Sequence, residues 1–235
     1  MGKKKKLIRF ADMKTFSNVL QPGLCEVFDS ENKSILPHKL AGKWREEVFQ
    51  NDNPIVIELG CGKGEYSVGM ARKFPNKNFI GVDIKGARIW YGAKDALDEG
   101  LNNAFFLRTR IDFITSFFAP GELDEIWITF PDPQPQENRR RKRLTNKLFT
   151  DRYKTILKPN GLVHLKTDSA FLHEFTLDEI QENGYDLLET TADLYGEKVD
   201  EVDPDTREIL SIKTHYEQLF SAQGYKITYT KYRIH

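Results

Sequence analysis

The 235-residue chain is 39% hydrophobic, 12% aromatic and 30% charged, which excludes a disordered chain and allows one sizeable α/β core rather than two full domains. Its 35 Lys and Arg balance its 35 Asp and Glu, so coating nucleic acid by bulk charge is excluded, although a local basic patch is not. The signs are sorted along the chain. Lys3, Lys4, Lys5 and Lys6 form one basic run and Arg139, Arg140, Arg141, Lys142 and Arg143 another, while residues 178–208 are rich in carboxylates.

Residues 1–35 show weak periodicity and are expected to form a basic, partly mobile arm. Within it, "LIRFADMK" lacks the apolar core of a signal peptide, and no run in the chain approaches a membrane span, so a cytoplasmic protein is expected. Cys25 and Cys61 lack CxxC spacing, and His38, His164, His173, His215 and His235 lack ligand spacing, so neither a disulfide framework nor a metal is predicted.

Strand and helix patterns then alternate. "PIVIELG" (54–60) reads as a buried strand, "KGEYSVGMARKF" (63–74) as a helix, "KNFIGVDI" (77–84) as a strand and "KGARIWYGAKDALDEG" (85–100) as a helix closed by Gly100. Strands follow over 103–111 and 122–130, a helix over 144–158, a strand over 161–168 and a helix over 170–184. Two late strands, 185–194 and 224–234, flank an acidic loop and a helix over 206–224, and late successive strands are expected as antiparallel edge additions. The alternation predicts a doubly wound α/β fold: a mostly parallel seven-stranded sheet with an antiparallel edge strand and helices on both faces.

The first strand-to-helix turn, "IELGCGKGEY", carries Gly60, Gly62 and Gly64 where open α/β sheets bind ligands, and without Cβ atoms these residues allow a sharp turn and close approach. A dinucleotide fingerprint needs glycine at 65; Glu65 stands there and Glu58 precedes the turn, a poor cradle for pyrophosphate. The same acids suit S-adenosylmethionine, which carries an ammonium and a sulfonium and no phosphate. Asp83, at the end of the second strand, is placed to accept from ribose hydroxyls. Asp112, after the third, is placed either to meet an adenine amino group or to cap the following helix.

The fourth strand delivers Pro131, Asp132, Pro133 and Pro135 to the same sheet edge. Each proline fixes φ, and Pro133 pushes Asp132 toward extended geometry, a stiffness suited to holding a carboxylate near a reacting group. Adenine-amino methyltransferases carry an aromatic after the second proline; Gln134 stands here, which points away from exocyclic-amine chemistry.

In order, "ELGCGKGE", "FIGVDI", "FPDP" with a basic tract and "RLT", "LKTD" and "THYE" resemble the tRNA (guanine-N7-)-methyltransferase family from about Ile55 to the C-terminus. The resemblance implies a Rossmann-like class I S-adenosylmethionine-dependent methyltransferase domain over 36–235 that methylates N7 of a variable-loop guanine in tRNA. It implies cofactor contacts at Glu58, Asp83, Asp112 and Asp132, beside the turn glycines, and substrate contacts at Asp168, Thr214 and Glu217. The family usually has Trp after "FPDP" and lysines soon after; here stand Gln134, Gln136 and Glu137, so Gln136, at the position of the family's lysine contact, is expected as a substrate contact together with Arg139, Arg140, Arg141, Lys142 and Arg143, which are placed to take over the lysine's role.

Guanine N7 presents an in-plane lone pair with no proton at neutral pH, so its methylation needs positioning and charge stabilisation rather than a general base. Asp132 and Asp168 are the expected catalytic carboxylates, with Asp168 also placed to accept from the guanine Watson–Crick edge. Thr214 and Glu217 lie off the apolar stripe of the predicted last helix and are expected to share an exposed face. The five cations suit an RNA phosphate backbone, with Lys3 to Lys6 as a second contact. No obligate protein partner is expected. A non-catalytic tRNA-binding module on the same platform, or a small-molecule methyltransferase with an incidental basic tract, are the competing readings.

Overall fold

The expected alternation takes shape as a sheet of eight strands in the order β1-β6-β5-β4-β7-β8-β10-β9. The computed structural model describes residues 2–196, 202–214, 217 and 224–235. In chain order these comprise α1 (Gly2–Asp12), β1 (Val19–Leu20), a hairpin of β2 (Phe28–Asp29) and β3 (Ser34–Ile35), a π-helical turn (Trp44–Phe49), β4 (Ile55–Leu59), α2 (Glu65–Lys73), β5 (Asn78–Asp83), α3 (Gly86–Asp98) and β6 (Ala104–Arg108). There follow α4 (Ile114–Phe117), β7 (Leu123–Thr129), α5 (Lys147–Ile156), β8 (Leu157–Thr167), α6 (Ala170–Glu182), β9 (Asp186–Thr191), α7 (Pro204–Leu210) and β10 (Thr228–Arg233). Strands β1, β6, β5, β4, β7 and β8 are parallel, and β10 runs antiparallel to both β8 and β9. The seven expected strands are thus joined by the two-residue β1.

Period-two alternation sends side chains to opposite faces of the central strands. Ile55, Ile57 and Leu59 of β4 and Ile126 and Ile128 of β7 pack with α4, α5 and α6. Val56 and Trp127 face the other way, with α2, α3 and α7. Both faces are therefore apolar, as a parallel sheet covered by crossover helices requires.

Two segments depart from the sequence reading. The expected arm contains α1 and is packed: Asn18 donates to the Ala93 carbonyl at 3.0 Å, Trp90 donates to Asp12 at 3.0 Å, and Met13 is buried. These contacts come one at a time from short pieces, which leaves no periodic pattern to read. The last helix, expected over 206–224, is interrupted: α7 ends at Leu210, residues 211–214 are not helical, and Glu217 is helical again. Its remainder, Glu217 and the turn at 224 apart, lies outside the described residues, as do Glu197, Asp200, Glu201 and His215; the side chains of Lys3, Lys4 and Lys5 do too.

Candidate active site

Strand order reverses between β4 and β7, and the crevice beyond the carboxyl ends of strands at such a switch point is where open α/β sheets bind ligands. A cavity of about 600 Å³ lies there, lined by Glu58, Asp83, Asp132 and Asp168 together with Gly60 and Gly62. A second compartment of about 450 Å³, bordered by Ile84 and Asp112, shares Gly60, Asp83, Lys142 and Leu144 with it and extends the crevice into one trough.

The glycine turn forms as the sequence implies. Gly60, Gly62 and Gly64 have φ of 78°, 57° and 74°, left-handed values that L-residues with a Cβ rarely adopt. Their uses differ. Gly60 and Gly62 border the cavity, whereas Gly64 is buried behind it, where an added Cβ would come within 2.6 Å of the Phe106 ring and 3.1 Å of Gly92 Cα. The expectation of a cofactor contact at Gly64 is corrected accordingly: the residue lets the turn close on α3.

Asp83 fixes this turn, accepting from the Gly62 N–H at 2.9 Å and the Lys85 N–H at 2.7 Å. Glu58, only 2% exposed, accepts from the Ser67 N–H at 2.9 Å, from the Ser67 hydroxyl and from the Thr129 hydroxyl. It thereby joins the first turn of α2 to the end of β7. Desolvation pushes its carboxyl up to about 7, against the opposing pull of the Ser67 and Thr129 donors. Three donors leave roughly one of a carboxylate's about four acceptor positions for a ligand. Cys61 also borders the cavity, and burial raises its thiol well above the ordinary value, so it packs as a neutral group.

The proline loop is held open by strain at both ends. Phe130 and Gln134 each take a left-handed φ of 46°, costly for residues with side chains and found mostly where function demands the geometry. Between them, Asp132 is exposed and accepts from the Gln134 N–H at 3.1 Å. Asp168, just past β8, faces the same cavity from the other side.

The basic run divides by face. Residues Glu137–Lys142 form a 3₁₀ turn, in which side chains three apart fall on one side. Arg140 and Arg143 point inward: Arg140 pairs with Glu179 at 2.9 Å, and Arg143, 2% exposed, donates to the carbonyls of Gln134 and Pro135 at 3.0 and 3.3 Å while stacking on Phe171 and Phe175. Both were expected to contact substrate; Arg143 holds the proline loop instead, while Arg140, 40% exposed, is tied to Glu179 of α6. Arg139, Arg141 and Lys142 remain exposed, and Lys142 borders both compartments. Gln136 begins the turn, exposed and outside the cavity lining.

Three further expected contacts fare differently from one another. Asp112 borders the second compartment but pairs with Arg110 at 3.2 Å, and it does not cap α4, whose preceding residue is Phe113. Thr214 reaches the main cavity, and its hydroxyl accepts from the Glu217 N–H at 3.2 Å. Glu217 has no exposed face: it is fully buried, paired with Lys166 Nζ at 2.8 Å and bonded to the Tyr195 hydroxyl.

Sequence reasoning missed Lys166. Its ammonium donates to the carbonyls of Leu210 and Ile212 at 2.9 and 3.2 Å, which ends α7, and its own carbonyl accepts from Phe130 N–H at 2.8 Å. One residue thus ties both the Thr214 segment and the proline loop to β8. Burial lowers its ammonium to about 8, with the Glu217 carboxylate opposing the shift. A lysine inside the apolar pattern of β8 was the available signal, since a buried charge requires a partner. Gln134 was read only as a departure from the family; it borders the cavity with a buried, unpartnered Oε1.

The residues fit S-adenosylmethionine: five carboxylates, Glu65 among them, around a glycine turn suit a ligand with two positive centres, and Asp83 stands where ribose hydroxyls are accepted. Among the described residues no group of three or more His, Cys, Asp or Glu side chains could hold a metal, and no helix is long and apolar enough to cross a membrane.

The fold is shared with solved RNA methyltransferases. The 16S rRNA methyltransferase KamB superposes with a TM-score of 0.61 over 89% of this chain and 98% of its own at 14% identity, and a 30S ribosomal A1408 methyltransferase from an uncultured bacterium with 0.55 over 89% and 98% at 16%. Sheet order, glycine turn and acidic crevice define a class I methyltransferase. A putative methyltransferase family model matches residues 52–230. The tRNA (guanine-N(7)-)-methyltransferase of Christiangramia forsetii is 50% identical over 100% of both chains, that of Bacteroides fragilis 48% over 100% of this chain and 87% of its own, and that of Streptococcus suis 37% over 80% and 84%. The chain belongs to the tRNA (guanine-N(7)-)-methyltransferase family, and the methyltransferase family implies S-adenosylmethionine as methyl donor.

Proposed function

We propose that the protein transfers a methyl group from S-adenosylmethionine to N7 of a guanine in the variable loop of tRNA. The observation that carries this reading is the convergence of Asp132 and Asp168 on the cavity that the glycine turn and Asp83 also line. Bound S-adenosylmethionine supplies an electrophilic methyl on a sulfonium; the chain supplies alignment and charge. Asp83 and the backbone of Gly60 and Gly62 hold the nucleoside portion, and the remaining acceptor position of Glu58 favours a cationic group. Asp132, on its strained and Arg143-braced loop, sets the line along which a purine nitrogen approaches.

Guanine offers N1–H and N2–H donors on its Watson–Crick edge, and the Asp168 carboxylate and the unpartnered Gln134 Oε1 are acceptors suited to them. Adenine would leave an acceptor facing an acceptor. As N7 takes the methyl, the purine becomes cationic, and Asp132 and Asp168 stabilise that charge. No proton leaves N7, so none of these groups acts as a base. Arg139, Arg141 and Lys142 engage phosphates at the mouth.

The test is incubation of unmodified tRNA with methyl-labelled S-adenosylmethionine followed by strand cleavage at 7-methylguanine. Labelled tRNA cleaved in the variable loop is expected. Label elsewhere in tRNA removes the position while keeping the class, and tRNA binding without label favours the non-catalytic module.

A further inference from the structure

Beside the trough lies a separate cavity of about 350 Å³ between α1 and the start of α3, lined by Lys6, Phe10, Lys85, Arg88 and Arg108. No carboxylate lines it, and among the described residues none of the four cations has a carboxylate within the 4.0 Å ion-pair distance. Arg108 is placed by neutral groups: Nε donates to the Ile84 carbonyl at 3.3 Å, Nη1 donates to Gln21 at 3.3 Å, and the guanidinium sits 4.9 Å from the Phe10 ring centre. Gly86 makes this approach possible, since a Cβ there would come within 2.8 Å of the Phe10 ring and 2.9 Å of Arg108 Nε. Like charges brought together repel, and an anion bound among them offsets that repulsion.

Its position identifies the anion. Lys85 and Arg88 line this cavity and the main one alike, and Ile84, 52% exposed, borders this cavity and the second compartment. A chain of unpaired cations therefore runs from Arg139, Arg141 and Lys142 across the mouth to Lys85 and Arg88, then to Arg108 and Lys6. We infer that the cavity between α1 and α3 is a phosphodiester-binding subsite for the tRNA strand that flanks the target guanosine. The inference rests on the tRNA reading above and adds a second anchor on the far side of the mouth, with Phe10 and Ile84 offering apolar surface to a sugar or base.

The experiment measures tRNA affinity against salt concentration for the wild-type protein and for the Lys6→Ala/Arg108→Gln double variant, with S-adenosylmethionine affinity measured in parallel. The double variant is expected to bind tRNA roughly tenfold more weakly near 100 mM salt and to show a log–log salt slope shallower by about 1 to 2, as loss of one or two phosphate contacts requires, with cofactor affinity unchanged. Arg108→Lys keeps the charge and should keep the slope. Lys6→Glu, at an exposed site, reads the same slope without touching the packing of Arg108. Wild-type slopes and affinities in the double variant and in Lys6→Glu overturn the subsite alone. A wild-type protein that does not bind tRNA overturns the reading on which the subsite rests.

Discussion

At the outer edge of the sheet, Lys231 is held between Glu189 at 3.1 Å and Asp203 at 3.0 Å, and Arg233 and His235 both reach Asp186, at 3.5 and 2.8 Å. At the carboxyl-end rim, Lys85, Arg88, Arg139, Arg141 and Lys142 have no carboxylate partner within 4.0 Å among the described residues. Both regions belong to one chain of zero net charge. The balance is therefore local: one edge neutralises its cations internally, and the rim leaves them for a ligand. A count of charges says nothing about which of the two a given residue serves.

The contrast breaks most severely where pairing is buried. Lys166→Met strands Glu217 inside the fold without a counter-charge, and a loss of about 3–5 kcal/mol in urea denaturation is expected. Adding Glu217→Leu should recover most of that stability but not activity, because neither side chain then holds the Thr214 segment. A loss below about 1 kcal/mol in the single variant would show that the pair is dispensable.

Next in size is the acid facing the base. Asp168→Asn preserves shape and removes charge, and turnover of tRNA is expected to fall roughly 100- to 1000-fold with cofactor affinity retained. Residual turnover still confined to guanine would sharpen the assignment to charge stabilisation rather than base choice. Gln134→Leu should instead relax that choice.

Much of this was readable in the chain. The glycine turn, Asp83 and the proline loop are local: each lies within a few residues of a buried strand, and the presence of such a strand is what periodicity shows best. The inward turn of Arg140 and Arg143 was not, because a run of five cations carries no mark of the 3₁₀ turn that sorts them or of Phe171 and Phe175, which lie nearly thirty residues or more away and receive them. The fate of Glu217 was hidden for the same reason. Its partner Lys166 comes from a strand that reads as apolar, and the expected helix is broken over residues 211–214, which changes the face that Glu217 presents.

Dividing the basic run gives a smaller and more selective effect. Arg139→Ala/Arg141→Ala/Lys142→Ala should weaken tRNA binding by roughly 10- to 100-fold, with a shallower salt slope and an unchanged melting temperature. Arg143→Ala should lower the melting temperature and turnover while leaving the salt slope as it was, since its partners lie within the protein: backbone carbonyls, aromatic rings and Glu137 at 3.6 Å. If both variants changed the slope alike, the division by face would be wrong.

The smallest expected effect concerns Glu58 and pH. Burial raises its carboxyl from the ordinary 4.5 to about 7, so between those values the folded protein holds a proton that the unfolded chain has lost. Its contribution to stability is present at low pH and declines as pH rises through that window. A cationic ligand beside it favours the carboxylate, so binding S-adenosylmethionine should expel a proton below about pH 7. Affinity should therefore rise with pH up to about 7 and level off above it, by no more than about tenfold per pH unit for one proton. Calorimetry in two buffers of different ionisation heat reads the proton directly, and Glu58→Gln, which keeps an acceptor for Ser67 and lets the Thr129 hydroxyl accept from the amide nitrogen, isolates the share owed to this carboxyl. The same proton release in the variant would assign it to another group and leave Glu58 as a purely structural tie between α2 and β7.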